Sequence, residues 1–208
     1  PDLFRPLDGV DRIPGRLITT ASADVAIKGL AYLVEAMAKL RADGIDISLT
    51  VIGRAKPGKS MDLIEQYGLA DHIQFVSGVP DERIVELYSE AELAVVPSLY
   101  EGFSLPAIEA MCSGTPLVAT DGGALPEVTG QDGDTVFRCR KGDADDLAST
   151  IRRALANPDA RARVGEAGRR RVLERWTWRR CAELTVEQYR EVLAMPQNVQ
   201  KLAANGRI

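Results

Sequence analysis

Two short runs, LAVVPS (93–98) and PLVAT (116–120), are apolar with almost no alternation. Strands with one wet face alternate; strands covered by helices on both faces do not, so these runs call for a parallel sheet between helical layers. The rest of the chain supplies the parts. GRLITTA (15–21), IDISLTVIG (45–53) and HIQFVSG (72–78) read as further strands, with Ile45, Ile47, Leu49 and Val51 on alternate positions of the second. Between them, Leu30, Leu33, Val34 and Met37 recur at helical spacing, Met61 and Ile64 mark a helix ending near Gly68, and DERIVELYSEA (81–91) reads as a helix with Asp81 as its N-cap. Strand, helix, strand at this spacing gives right-handed crossovers and an α/β fold, a doubly wound parallel sheet of the Rossmann-like kind. The last third is helical: one helix capped by Asp143 and running through Leu155, one from Pro158, and one from about Thr177 whose Trp178, Ala182, Val186, Tyr189 and Leu193 form a stripe. Residues 1–15, rich in proline and glycine, read as an interdomain linker, 16–194 as the domain, and 195–208 as a tail.

Composition removes several function classes. The net charge of -4 argues against a nucleic-acid partner, and no apolar run approaches the roughly 20 residues that cross a bilayer. The N-terminus is not a secretory signal, and a chain that begins in a linker implies a further domain upstream. Cys112, Cys139 and Cys181 show neither CxxC spacing nor an even count, which points to reduced thiols in a cytoplasmic protein.

The segment that carries chemistry is YEGFSLPAIEAM (100–111), directly after LAVVPS. Ligands of doubly wound sheets sit beyond the carboxyl ends of the strands. Ser104 is expected to cap a helix over about 105–111, with Pro106 tolerated in its first turn, and Gly102 leaves the approach to the helix amides open. Such a helix start suits phosphate. Glu109, set back by more than a turn, suits a ribose diol, whereas Glu101, in the loop, suits the hydroxyls of a sugar. Ribose, phosphates and a second sugar together describe a nucleotide sugar.

The segment resembles the E-G-F-S/G-L-P-x-x-E signature of family four glycosyltransferases, retaining enzymes of the GT-B twin-Rossmann fold. The resemblance runs from about residue 15 to about residue 194 and includes KGL (28–30), FVSGV (75–79), residues 94–120 and GGALPEV (122–128). It implies the donor-binding half of such an enzyme, with the acceptor-binding N-terminal domain missing from this chain and any membrane association supplied by that domain. It implies that Lys28 and Glu101 act on the donor diphosphate and sugar, and that Gly102, Phe103, Ser104, Leu105, Glu109 and Val79 bind the donor. No cofactor and no metal are expected. One position departs from the pattern: Ala23 stands where the family has an arginine for the diphosphate, with Arg54 or Ser22 as substitutes. A non-catalytic nucleotide-sugar binding module and a sugar-nucleotide epimerase are the alternatives.

Several residues carry blander expectations. Gly122 and Gly123 either line the phosphate site or allow a tight turn, and Glu127 is a first-turn helix carboxylate. Asp132 and Asp134, like Asp143 and Asp145, belong to a turn and a helix start rather than to a metal site. His72 is read as structural, and Trp176 and Trp178 as core or interdomain contacts.

Overall fold

The computed structural model describes residues 1–196, so most of the expected tail lies outside the described residues. Residues Pro1–Val172 form one compact unit and the chain from Leu173 a second. The first holds a six-stranded sheet of β1 (Ile13–Thr20), β2 (Ser48–Ile52), β3 (Ile73–Val76), β4 (Ala91–Val96), β5 (Leu117–Thr120) and β6 (Phe137–Cys139). The order is β3-β2-β1-β4-β5-β6, and every neighbouring pair is parallel. Helices α1 (Leu30–Ala42), α2 (Lys59–Gln66), α3 (Asp81–Glu90), α4 (Leu105–Cys112) and α5 (Leu125–Thr129) make the connections, and α6 (Ala144–Leu155) and α7 (Pro158–Arg175) follow β6. No helix among the described residues is long and apolar enough to cross a membrane.

Burial on both faces of the sheet accounts for the unbroken apolar runs. Leu93, Ala94 and Val95 of β4 are all buried, as are Leu117, Val118 and Ala119 of β5. Ile47, just before β2, and Leu49 and Val51 within it are inside as expected, but so is Thr50, because the strand has helices on both sides. Helix α1 sends Leu30, Leu33, Val34, Met37 and Leu40 into the core; burying each stabilises the fold by about 1.5–3 kcal/mol.

Several boundaries differ from expectation. Pro80, with extended backbone, is the N-cap of α3, so Asp81 is its first helical residue and serves the helix dipole instead of a cap bond. Strand β6 has no counterpart in the sequence reading; it is three residues long, with Arg138 at its centre. Strand β1 starts inside the expected linker, and Phe4 packs edge-on against Tyr88 with ring centroids 6.2 Å apart. The start of β1 is bulged against β4; there the Gly15 N–H donates to Glu92 Oε2 at 2.5 Å, and Arg161 donates to Glu92 Oε1 at 2.5 Å.

In the second unit, α8 (Trp178–Ala194) is capped by Thr177, whose side chain accepts from the Arg180 N–H at 3.1 Å. It buries no residue, and Trp178 is 83% exposed, so the core reading of Trp178 is corrected.

The order reverses between β1 and β4. The crossover after β1 leads to β2 on one side, and that after β4 to β5 on the other. The loops part there and leave a crevice at the carboxyl ends of both strands. Gly29 is one glycine this crevice needs: its φ is +71°, and a Cβ would lie 1.9 Å from the Pro97 carbonyl oxygen. Gly29→Ala is expected to cost about 3 kcal/mol, read as a fall in the thermal unfolding midpoint.

Candidate functional site

Three loops close on one another at the carboxyl ends of β1, β4 and β5. After β1 the chain makes a short 3-10 turn, Ala26–Lys28, and the Ile27 carbonyl accepts from the Leu99 N–H at 2.8 Å. This contact brings Lys28 beside the loop that follows β4. Lys28 Nζ donates to Glu101 Oε1 at 2.8 Å and to Oε2 at 3.1 Å, and Ser98 Oγ donates to Oε1 at 2.7 Å. Glu101 is buried, with only 8% of its surface exposed. Its backbone is fixed too: the Ala124 N–H donates to the Glu101 carbonyl at 2.8 Å, and Glu101 bridges to Gly123. Both glycines of that third loop are there for close approach. A Cβ on Gly122 would sit 2.7 Å from the Ser98 and Leu99 carbonyl oxygens, and one on Gly123 2.3 Å from the Glu101 carbonyl oxygen. Thr120 Oγ1 donates to the Ser98 carbonyl at 2.5 Å and completes the brace.

Helix α4 begins four residues after Glu101, with Pro106 in its first turn. Ser104 is not a side-chain cap. It takes φ 82° and ψ 81°, a left-handed conformation instead of the extended one of a capping serine, and it makes no cap hydrogen bond. Its Oγ is buried and has no hydrogen-bond partner. The first-turn amides have no acceptor within the helix. Nothing lies within 4 Å of a Cβ built on Gly102, so the approach to them is open there. Phe103 and Leu105 are 41% and 57% exposed.

Glu109 lies in the second turn of α4. The hydroxyl of Tyr88 on α3 lies 3.1 Å from Thr20 Oγ1, at the last residue of β1, and donates to the Pro106 carbonyl in the first turn of α4 at 3.5 Å. Burial raises the Glu109 pKa, the charge of Asp81 at the start of α3 raises it further, and the Tyr88 hydrogen bond opposes both. A carboxyl group raised in this way stabilises the fold fully below its unfolded pKa, and that contribution is lost as pH rises through the folded value. Acidification therefore favours the fold at Glu109 while it removes the charged acceptor. Val79 is half-buried in the loop between β3 and α3, two residues before Asp81. Lys28 and Glu101 are thus joined, whereas no hydrogen bond or ion pair joins Glu109 or Val79 to them. Thr20 and Tyr88 were missed from the sequence because only the fold brings them together, 68 residues apart, and Ser98 because its bond to Glu101, three residues on, depends on an irregular loop with no periodic signal.

The remaining positions separate cleanly. Ala23 is 5% exposed, and its N–H donates to the Arg54 carbonyl at 3.2 Å. Arg54, at the carboxyl end of β2, is exposed. Asp143 caps α6 by accepting from the Asp146 N–H at 2.9 Å, and Asp132 Oδ1 accepts from the Arg138 N–H at 2.9 Å. His72 ends a 3-10 turn that leads into β3, at the end of the sheet opposite the crevice. Glu127 lies in the first turn of α5.

Comparison with known proteins places these observations in a family. The model of "Glycosyl transferases group 1" matches residues 14–171. The MMP alpha-(1->4)-mannosyltransferase of Mycolicibacterium hassiacum is 43% identical over 193 residues, covering 92% of this chain and 46% of that protein. Sucrose-phosphate synthase of Thermosynechococcus elongatus superposes with a TM-score of 0.79 at 30% identity, over 93% of this chain and 50% of that one. Anabaena HepE, solved in complex with UDP, superposes with a TM-score of 0.76 at 20% identity, over 86% of this chain and 49% of that one. The chain spans about half the length of the curated relatives it matches.

Proposed function

Because the chain belongs to the group 1 glycosyltransferases, we propose that it forms the donor half of a retaining enzyme that moves a sugar from a nucleoside diphosphate to an acceptor held by a second domain. The observation that carries this reading is the meeting of Lys28 and Glu101, 73 residues apart in sequence, at 2.8 Å beside the start of α4. The diphosphate lies against the α4 amides, with Gly102 admitting it and Lys28 opposing its charge. Glu101 accepts from hydroxyls of the transferred sugar, Glu109 from the ribose diol, and the Val79 loop borders the base. Phe103, Ser104 and Leu105 shape the cradle.

The bond from the anomeric carbon to the diphosphate breaks as the bond to the acceptor oxygen forms on the same face. The acceptor proton passes to the departing diphosphate. Charge grows on that diphosphate in the transition state, and Lys28 and the amides stabilise it there more than in the ground state. In this reading the donor draws Lys28 from Glu101 and leaves the carboxylate, still held by Ser98, for the sugar. Ala23 contributes no cation, so Lys28 carries the larger share of the charge. Positioning and electrostatics then suffice, without a protein nucleophile or a bound metal. Binding of UDP by Anabaena HepE, which shares the fold, supports the choice of ligand class.

The test is product analysis by NMR with the complete protein, a nucleotide-sugar panel and a metal chelator. Transfer with the donor's anomeric configuration kept, at an unchanged rate with chelator, is expected. Inverted product or loss of activity on chelation contradicts the mechanism. Donor epimerised without any acceptor would favour an epimerase.

A further inference from the structure

We infer that the cavity at the amino ends of β1, β4 and β5, at the end of the sheet opposite the crevice, is a second small-molecule site: it takes a phosphate group, held by Arg12, Arg161 and Arg169. The inference does not depend on the donor reading.

The cavity has a volume of about 570 Å³, within the roughly 300–1,000 Å³ of small-ligand sites. Arg12 enters it from just before β1, Glu92 from β4, and Arg161, Glu166 and Arg169 from α7. Pro6, Pro116 and Pro158 add apolar wall. Pro158 is also the first residue of α7, so the positive end of that helix dipole lies at the cavity.

The guanidinium groups are fixed before any ligand arrives. Arg12 Nη1 donates to the Ala91 carbonyl at 2.6 Å and Nη2 to the Gly114 carbonyl at 2.8 Å. Arg161 Nη1 donates to the Ala154 carbonyl at 2.8 Å, and Arg169 Nη1 donates to the Cys112 carbonyl. These partners are neutral, and the carboxylates nearby are committed. Glu92 Oε1 accepts from Arg161 Nη2 at 2.5 Å and Oε2 from the Gly15 N–H at 2.5 Å, while Glu166 pairs with Arg170 at 2.5 Å. Among the described residues, Arg12 and Arg169 therefore have hydrogen bonds but no ion pair. Each fork has more N–H groups than these bonds use. Burial of its head group, and then the charge of Arg161, lower the Arg12 pKa against the pull of Glu92. A dianion between the forks answers that excess of positive charge. Phosphate suits it, because oxygens spread around one centre accept from several planar forks at once. Donors already held in place lose little freedom on binding. The volume exceeds what a bare phosphate fills, and the prolines can pack against a short carbon skeleton, so a phosphate monoester is favoured over the free ion.

Arginines that serve only to cap the ends of α4 and α6 predict something different: a loss of stability on substitution and no response to phosphate. The discriminating experiment titrates glycerol 3-phosphate and inorganic phosphate into the complete protein by calorimetry, with ionic strength held constant by sodium chloride. It compares wild type, Gly102→Val, Arg12→Gln, Arg169→Gln and Arg163→Gln, Arg163 being an exposed residue of α7 outside the cavity. One site is expected that survives Gly102→Val and Arg163→Gln and weakens at least about tenfold in Arg12→Gln and in Arg169→Gln. The amide resonance of Gly114, whose carbonyl holds Arg12, gives a reading in the unaltered protein. It is expected to shift saturably with glycerol 3-phosphate and not with sodium chloride of equal ionic strength. Tighter binding of glycerol 3-phosphate than of inorganic phosphate identifies a monoester as the ligand, and the reverse order identifies free phosphate. Absence of saturable binding, binding unchanged in both Arg12→Gln and Arg169→Gln, binding lost in Gly102→Val, or a Gly114 amide that does not respond overturns the inference.

Discussion

Lys28→Ala in the complete enzyme is expected to lower turnover by about two to three orders of magnitude, the usual size for loss of one group that stabilises developing charge. The same substitution is expected to destabilise the fold, and Glu101→Ala less so. The reason is an asymmetry of burial. The Glu101 side chain is 9% exposed and that of Lys28 32%. Without the lysine, a buried carboxylate keeps only the Ser98 hydroxyl at 2.7 Å. Without the glutamate, the ammonium group can still reach water. Stranding the carboxylate costs about 2 kcal/mol, a fall of roughly 4–8 °C in the unfolding midpoint. Glu101→Gln retains the Ser98 partner and is expected to unfold close to wild type while losing turnover like Glu101→Ala. Parallel thermal melts and initial rates on the three variants check both halves. Equal melting of Lys28→Ala and Glu101→Ala would contradict the burial account, and undiminished turnover in either would contradict the site.

How much of this was legible without coordinates depends on the range of the interaction. The apolar runs 93–98 and 116–120 disclosed a sheet covered on both faces because burial acts on each residue separately. Periodicity disclosed α1 in the same way, through Leu30, Leu33, Val34 and Met37. The EGFSLP segment disclosed a helix start after a strand. What the sequence could not provide was adjacency. Lys28 meets Glu101 only because β4 lies next to β1 in the sheet. Nothing in local spacing ranks that neighbour above β2 or β5. The same holds for Tyr88, which reads as one more apolar position on α3 until β1 delivers Thr20 to its hydroxyl. Ser104 was misread for a different reason. Serine before a helix is a cap when its backbone is extended, but here φ is 82°. Strand β6 escaped because three residues with arginine in the middle give no period to detect.

Gly102→Val carries the second large effect, and it separates binding from folding. Gly29, Gly122 and Gly123 are each pressed against a carbonyl, so a side chain at any of them disturbs the loops themselves. Gly102 differs: its φ is not positive, and a Cβ there meets nothing within 4 Å. A valine should be accommodated at about 0.5 kcal/mol or less, as at an ordinary exposed position. That open volume is where the diphosphate is proposed to lie. Valine would keep the phosphate oxygens away from the α4 amides and remove hydrogen bonds to a charged group. Affinity for nucleoside diphosphate is expected to drop about 10- to 100-fold. Turnover should fall by at least as much, because the transferred sugar is displaced together with the diphosphate.

The most direct measurement is a calorimetric titration of UDP, GDP and ADP into the complete wild-type protein and into Gly102→Val, with unfolding midpoints recorded on the same samples. One of the three diphosphates should saturate a single site in wild type and bind Gly102→Val at least about tenfold more weakly, with the midpoints unchanged. Equal affinity for that diphosphate in the two proteins would show that it does not lie at the start of α4.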